Sequence, residues 1–399
     1  MLTWDRLQTL GGISDEPARL KRVFASPGMR TAAAQLFEWM RAARLTVTTD
    51  DWGNLFARTP HPDSMPLLVI GSHFDTVPGA GKYDGALGIL AAIGALETLS
   101  QDEIKHLPFA VEIAAFSDEE GTRFHTTYLG SRAAAGGIEP ADLARRDSSG
   151  TTLASLIPEK SRQPSPRYTK GKLLAYWEAH IEQGPVLEKL NLPLGIVTAI
   201  AGQTRAKIRF TGRAAHAGTC PMDMRHDALA GAAEFVLAAE SLARETPDLV
   251  ATVGCLDIAA PASNVVPAAT DLTLDLRHPN DSTRSQSIAT LQSTAESIAK
   301  KRGLTHAWET VQENSAVACD PAQSRILEAA VAANQKEVPR LSSGAGHDAV
   351  AMSKVAPVAM LFVRCRGGVS HHPDEYASPA DVAACVETLA EGIRRLARQ

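Results

Sequence analysis

The chain has 399 residues, 44% hydrophobic and 21% charged, which is too long for a peptide module and sufficient for a sizeable core, with two domains expected. Forty basic side chains against 45 acidic ones give a formal charge of -5, with no Lys or Arg block able to neutralise a run of phosphates, so nucleic acid is excluded as an expected partner. Cys220, Cys255, Cys319, Cys365 and Cys385 include no close pair, which argues against a disulfide scaffold and a zinc ribbon and suits a reducing compartment. No apolar stretch approaches membrane-spanning length, and MLTWDRLQTLGG lacks a basic run followed by an apolar one, so a soluble cytoplasmic protein with no membrane partner is expected.

In chain order, the first amphipathic element is TAAAQLFEWMRAARL at 31–45, which sets Leu36, Trp39, Met40 and Ala43 on one helical face. Apolar runs at 66–71 and 109–116 flank DGALGILAAIGALETL at 84–99, whose Ala and Leu content favours helix. Strand, crossover helix, strand is the economical reading, and it belongs to a sheet covered on both faces, with ligands gathering beyond the carboxyl ends of the strands. The Ser/Arg/Pro patch at 148–168 is expected to be a surface loop. RAKIRFTG at 205–212 and TDLTLDLRH at 270–278 alternate like one-sided strands, with helices expected near 226–244 and 283–301. Residues 204–317 therefore read as an inserted α+β domain, between a first part of the surrounding domain at 1–203 and a second at 318–399. In that second part, AQSRILEAAVAANQ reads as a helix and APVAMLFVRC as a buried strand.

Chemistry concentrates at the expected strand ends. GSHFDTVPGAGKYDG supplies His73, Asp75 and Asp84, where an imidazole can bind a metal, a carboxylate two residues on can hold the opposite ring nitrogen, and Asp84 can share its oxygens between ions. FSDEEGTRF supplies Glu119 and Glu120, one suited to a metal and the other to taking a proton from an activated water. HIEQGPVLE adds His180, Glu182 and Gln183, with a helical or turn location expected for His180, and VSHHPDE adds His371 and His372. Five donors, His73, Asp84, Glu120, His180 and His371, suffice for two sites sharing Asp84, about 3.5–4 Å apart. This mixture of imidazoles and carboxylates suits zinc, manganese or cobalt better than calcium.

These strings, together with GRAAHAGTCPMDMRHDAL, SNVVP, DLRH and SGAGHDA, resemble the hydantoinase/carbamoylase branch of the M20 metallopeptidase-like amidohydrolases across nearly the whole chain. The resemblance implies an α/β fold: a mixed-sheet dinuclear metallohydrolase domain interrupted by a smaller α+β lid and dimerisation domain, and hence a homodimer. It implies two divalent ions per subunit, zinc or manganese, with His73 and His180 on one, Glu120 and His371 on the other, and Asp84 between them. Glu119 is the implied base, and Gln183, His216, Asn264, Arg277 and the backbone at Gly344, Ala345 and Gly346 are the implied substrate contacts. Arg277 suits a substrate carboxylate, and His216 suits a scissile carbonyl, which it polarises as the second implied catalytic residue. The implied substrate is a small ureido carboxylate. FSDEEGTRF, LFVRCRGG and SHHPDE most resemble enzymes acting on allantoate; N-carbamoyl-L-amino acids come next, then ureidoglycolate or β-ureidopropionate, then M20-like peptidase or deacylase substrates. Cys220 lacks a local base arrangement and is not expected to be a nucleophile. His347 and Asp348 are expected to shape the site without binding metal.

Overall fold

A computed structural model describes residues 2–399, which fall into two compact units. The first comprises the chain up to Thr198 with Cys319–Leu341 and Ala345–Gln399; the second comprises Ala199–Ala318 and Ser342–Gly344. Among the described residues no helix is long and apolar enough to cross a membrane.

The first unit is built on a mixed sheet whose strands run in the order Thr46–Thr49, Leu55–Arg58, Ala110–Phe116, Leu67–His73, Leu173–Ile181, Val358–Val363, Leu194–Ile200. The four central strands, from Ala110–Phe116 to Val358–Val363, are mutually parallel, and the outer pairings are antiparallel. Every residue of Ala110–Phe116 and Val358–Val363 is buried, which is why these segments read as continuous apolar runs and not as alternating ones. The α/β class with a mixed sheet is borne out.

The helix Ala86–Thr98 crosses over between the two parallel strands Leu67–His73 and Ala110–Phe116, and its residues from Ala86 to Leu96 are all buried. Small residues let it lie close on the sheet: a Cβ on Gly88 would fall 2.2 Å from the Ala179 carbonyl oxygen. The C-terminal helix Pro379–Leu396 packs in the same core through Val382, Cys385, Leu389 and Ile393. The expected helix at 31–45 spans Pro27–Ala42 instead, because Ser26 caps it by accepting from Met29 N and Pro27 fits the first turn. The patch at 148–168 is more structured than a surface loop: it forms the short helical turns Leu153–Leu156 and Glu159–Ser161. Leu153 and Ile157 pack with Phe24, Trp52, Phe124 and Leu129 in a satellite core.

In the second unit, Leu256–Ile258, Ala269–His278, Gly202–Thr211 and Thr305–Asn314 form an antiparallel sheet, with Val250–Thr252 also paired to Ala269–His278. One face carries Ala206, Ile208, Phe210, Leu272, Leu274 and Leu276 against the helices Ala228–Glu245 and Asp281–Arg302. Alternation of buried and exposed residues along Gly202–Thr211 follows from that one-sided packing.

Candidate metal centre

Three adjacent parallel strands deliver polar residues to one end of the sheet. His73 is the last residue of Leu67–His73, Glu119 and Glu120 follow Ala110–Phe116, and His180 is the penultimate residue of Leu173–Ile181. The helical or turn location expected for His180 is thus corrected to a strand. The reason is two-faced burial: Ala175, Trp177, Ala179 and Ile181 enter the apolar core, while Tyr176, Glu178 and His180 occupy the other face and are equally hidden.

Asp84 is the meeting point. His73 Nε2 lies 3.5 Å and His180 Nε2 3.0 Å from its Oδ1, and His371 Nε2 lies 3.2 Å from its Oδ2. His371 Nε2 is also 3.3 Å from Glu120 Oε1. Donor atoms converge in three groups: His73, Asp84 and His180; His73, Glu119 and Glu120; and Asp84, Glu120 and His371. Asp84 does not cap the helix that follows it, since Gly85 is the N-cap and no side chain bonds there.

The tautomers fit cation binding. His73 Nδ1 faces Asp75 Oδ1 at 3.2 Å, and His180 Nδ1 is 2.9 Å from the Ile181 carbonyl oxygen, which can only accept. A neutral His180 therefore carries its hydrogen on Nδ1 and turns an Nε2 lone pair toward Asp84, consistent with Gly85 N donating to that atom at 3.3 Å. Lone pair against carboxylate oxygen requires positive charge between or on the groups. Burial opposes ionisation of Asp84, but the imidazoles of His180, His371 and His73 set against it hold it well below the usual carboxylate range. Hydrogen bonding to Asp84 and Glu120 pushes His371 up to about 10. These groups demand protons or divalent ions, and the buried His/Asp cluster can coordinate metal.

Asp75 organises the set from behind, accepting from Glu119 N at 3.0 Å and Glu120 N at 3.2 Å besides holding His73. Burial raises the Glu119 carboxyl well above its ordinary value; nearby His73 works the other way, and the charges of Glu120, Asp348 and Asp75 add to the rise. His347 is fully buried, edge-on to His180 with ring centroids 4.5 Å apart, and burial drives it toward the neutral form.

A cavity of about 160 Å³ is lined by the donors His73, Asp84, Glu119, Glu120, His180 and His371 and, around them, by Thr127, Tyr128, Gln183, Ala345 and Gly346. Gln183 Nε2 donates to Asp84 Oδ2 at 3.2 Å and to Ser370 Oγ at 2.9 Å. Glu182 instead accepts from Val186 N and Leu187 N, holding the start of the next helix. His372 is exposed and accepts from Asp374 N.

The remaining expected contacts lie in the second unit. His216 is exposed on the short strand Ala215–His216 and its Nδ1 accepts from Gly218 N at 3.1 Å, leaving Nε2–H as its donor when neutral. Asn264 is exposed beside it, its carbonyl oxygen accepting from Ala217 N. Arg277 makes two bonds to Asp275, at 2.7 and 2.9 Å, and donates to the Gly344 carbonyl oxygen at 2.6 Å.

Three structural partners were not singled out from the sequence. Glu375, buried, accepts from Tyr83 N at 2.9 Å and Asp84 N at 3.0 Å through Oε1, and from Ser370 Oγ at 3.1 Å through Oε2. Burial and the Asp84 charge push its carboxyl up to about 7. Glu178 accepts from Ser72 Oγ, Tyr176 Oη and Ala349 N, tying three segments behind the site. Tyr128 adds a phenol to the cavity wall. Glu375 stood within the VSHHPDE string, whereas Tyr128 lies four residues beyond the FSDEEGTRF string.

A profile of Peptidase family M20/M25/M40 matches residues 69–395. Allantoate deiminase of Arabidopsis thaliana is 41% identical over 414 residues, covering 95% of this chain and 79% of that protein. N-carbamoyl-L-amino-acid amidohydrolase of Pseudomonas sp. (strain NS671) is 36% identical over 398 residues, covering 98% of this chain and 95% of that protein. Among solved structures, an amidase of the hydantoinase/carbamoylase family from Burkholderia multivorans superposes with a TM-score of 0.89 at 32% identity, over 99% of this chain and 97% of that one. With family-wide coverage and converging histidines and carboxylates behind it, the chain belongs to the M20/M25/M40 peptidase family, in its hydantoinase/carbamoylase branch.

Proposed function

We propose that this protein is a metal-dependent amidohydrolase that cleaves the ureido C–N bond of a small carboxylate, with allantoate as substrate and ureidoglycine, ammonia and carbon dioxide as products. The observation that carries the reading is the approach of three imidazole Nε2 atoms to the two oxygens of Asp84, beside Glu119, in a cavity of about 160 Å³. His73 and His180 would hold one divalent ion and Glu120 and His371 another, with Asp84 common to both; zinc and manganese both suit these donors. When bound, such ions supply Lewis acidity and make water acidic near neutral pH.

Glu119 takes a proton from water in the cavity as the water oxygen bonds to the ureido carbonyl carbon. The C–N bond then breaks, and Glu119 returns the proton to the departing nitrogen, releasing an amine and a carbamate that decays to ammonia and carbon dioxide. Asp75 keeps Glu119 and Glu120 in place through their backbone N–H groups. Gln183, with its amide nitrogen donating to Asp84 and Ser370, offers Oε1 to a substrate N–H. His216 through Nε2–H, Asn264, and Arg277 with the Gly344–Gly346 backbone complete the substrate contacts in this reading, the guanidinium receiving the carboxylate.

N-carbamoyl-L-amino acids form the second reading, favoured by the 36% identical Pseudomonas relative, 95% of whose length is covered. Parallel assays on allantoate, N-carbamoyl-L-amino acids and ureidoglycolate, with zinc and manganese supplied separately, test the assignment. Allantoate is expected to have the highest kcat/KM; preference for a carbamoyl amino acid would replace it. A homodimer is part of the same proposal by family resemblance, checked by light scattering after size exclusion. A cytoplasmic setting accords with five cysteines that are all free.

A further inference from the structure

The wall of the cavity contains a side chain that the reaction above does not use. Tyr128 closes the turn that follows Glu120: its N–H donates to the Glu119 carbonyl oxygen at 2.9 Å, so its backbone is anchored to the base residue itself. Its backbone is left-handed, with φ 62°, a conformation poorly suited to a bulky side chain and maintained only where the surroundings dictate it. Gln183 and His371, also in the cavity wall, share this feature with φ 55° and 56°.

From that anchor the phenol reaches Gly346 on the far loop. A Cβ placed on Gly346 would lie 1.9 Å from the Tyr128 hydroxyl oxygen and 3.0 Å from Cζ, so the hydroxyl occupies the space a side chain at 346 would need. Apart from Thr127, whose side chain is hydrogen-bonded to that of Tyr128, the other lining side chains leave this hydroxyl a definite place. Carboxylates accept, the imidazoles face Asp84 and Glu120, and both hydrogens of the Gln183 amide go to Asp84 and Ser370. A tyrosine hydroxyl keeps its proton throughout the neutral range and can donate it in a hydrogen bond.

We propose that Tyr128 is a catalytic residue: its hydroxyl donates a hydrogen bond to the carbonyl oxygen of the ureido group under attack, from the wall shared with Gly346. The inference rests on the proposed ureido hydrolysis. Negative charge grows on that oxygen as water adds, so the bond strengthens on the way to the transition state and acts on kcat more than on KM.

The test compares wild type, Tyr128→Phe and Gly346→Ala, each metal-reconstituted, on whichever ureido substrate the wild type turns over. Tyr128→Phe is expected to lower kcat about 10- to 100-fold with KM changed less than about threefold, at unchanged melting temperature and metal content. Gly346→Ala, which displaces the hydroxyl, is expected to lower kcat in the same sense. Wild-type kcat in Tyr128→Phe, or a rise in KM alone, would overturn the donor role while leaving the ureido reading intact. A wild type inert toward every ureido substrate would overturn that reading, and the donor role with it.

Discussion

Replacing Glu375 with Ala removes the acceptor of three hydrogen bonds, two of them from the backbone N–H groups of Tyr83 and Asp84. Both are buried and would be left without that acceptor, at about 1–3 kcal/mol each. Burying a carboxylate is itself unfavourable, as its pKa of about 7 records, so the net loss falls toward the lower part of the summed range, about 3 kcal/mol. At about 2 °C per kcal/mol for a large unit, the metal-free protein should melt about 6 °C lower. Because the same turn carries Asp84, metal affinity should fall about 10- to 100-fold, as it does when groups that orient ligands are removed. Calorimetry of the metal-free protein reads the first quantity and competition with a chromogenic chelator the second. Glu375→Gln retains a carbonyl acceptor for the two N–H groups and should recover most of the stability. An Ala variant that melts within 1 °C of wild type and binds metal equally well would refute the reasoning.

Glu119→Gln should lower kcat about 10²- to 10⁴-fold while retaining metal, measured by turnover beside elemental analysis. In Gly85→Ala, the added Cβ would meet the His73 ring at 2.5 Å on a backbone with φ 65°, so chelator competition should show weakened metal binding in a folded protein. Asp142 is opposed by burial but held below its ordinary pKa by Arg132 and the Glu139 N–H. Its contribution is therefore complete above the ordinary aspartate value of about 4 and declines as pH falls through the depressed folded-state value. The melting-temperature gap between wild type and Asp142→Asn should accordingly be constant near neutrality and shrink in acid; a gap that widens in acid would contradict this sign.

The ligand loops were legible because His73 and the Glu119–Glu120 pair directly follow apolar runs, and polar groups at such positions emerge at a strand's carboxyl end. The helical or turn location expected for His180 gives way to a strand because both faces of Leu173–Ile181 are covered, so its polar residues are as buried as its apolar ones. Ser26 and Pro27 mark the start of the helix at Pro27, whereas the apolar periodicity marks only its later part. Glu375 and Tyr128 were illegible for a different reason. One works by accepting distant backbone N–H groups and the other through a left-handed turn, and neither property leaves a local pattern in side-chain type.

The strand Val358–Val363 lies between Leu173–Ile181 and Leu194–Ile200, its elders by more than 150 positions. A ribosome therefore makes both neighbours long before the piece that joins them, and the growing polypeptide must keep two unsatisfied edges from pairing wrongly. His371 and Glu375 emerge later still. A product ending before them lacks groups that contact Asp84 and its turn, so the cluster around Asp84 is completed only after these residues have been made.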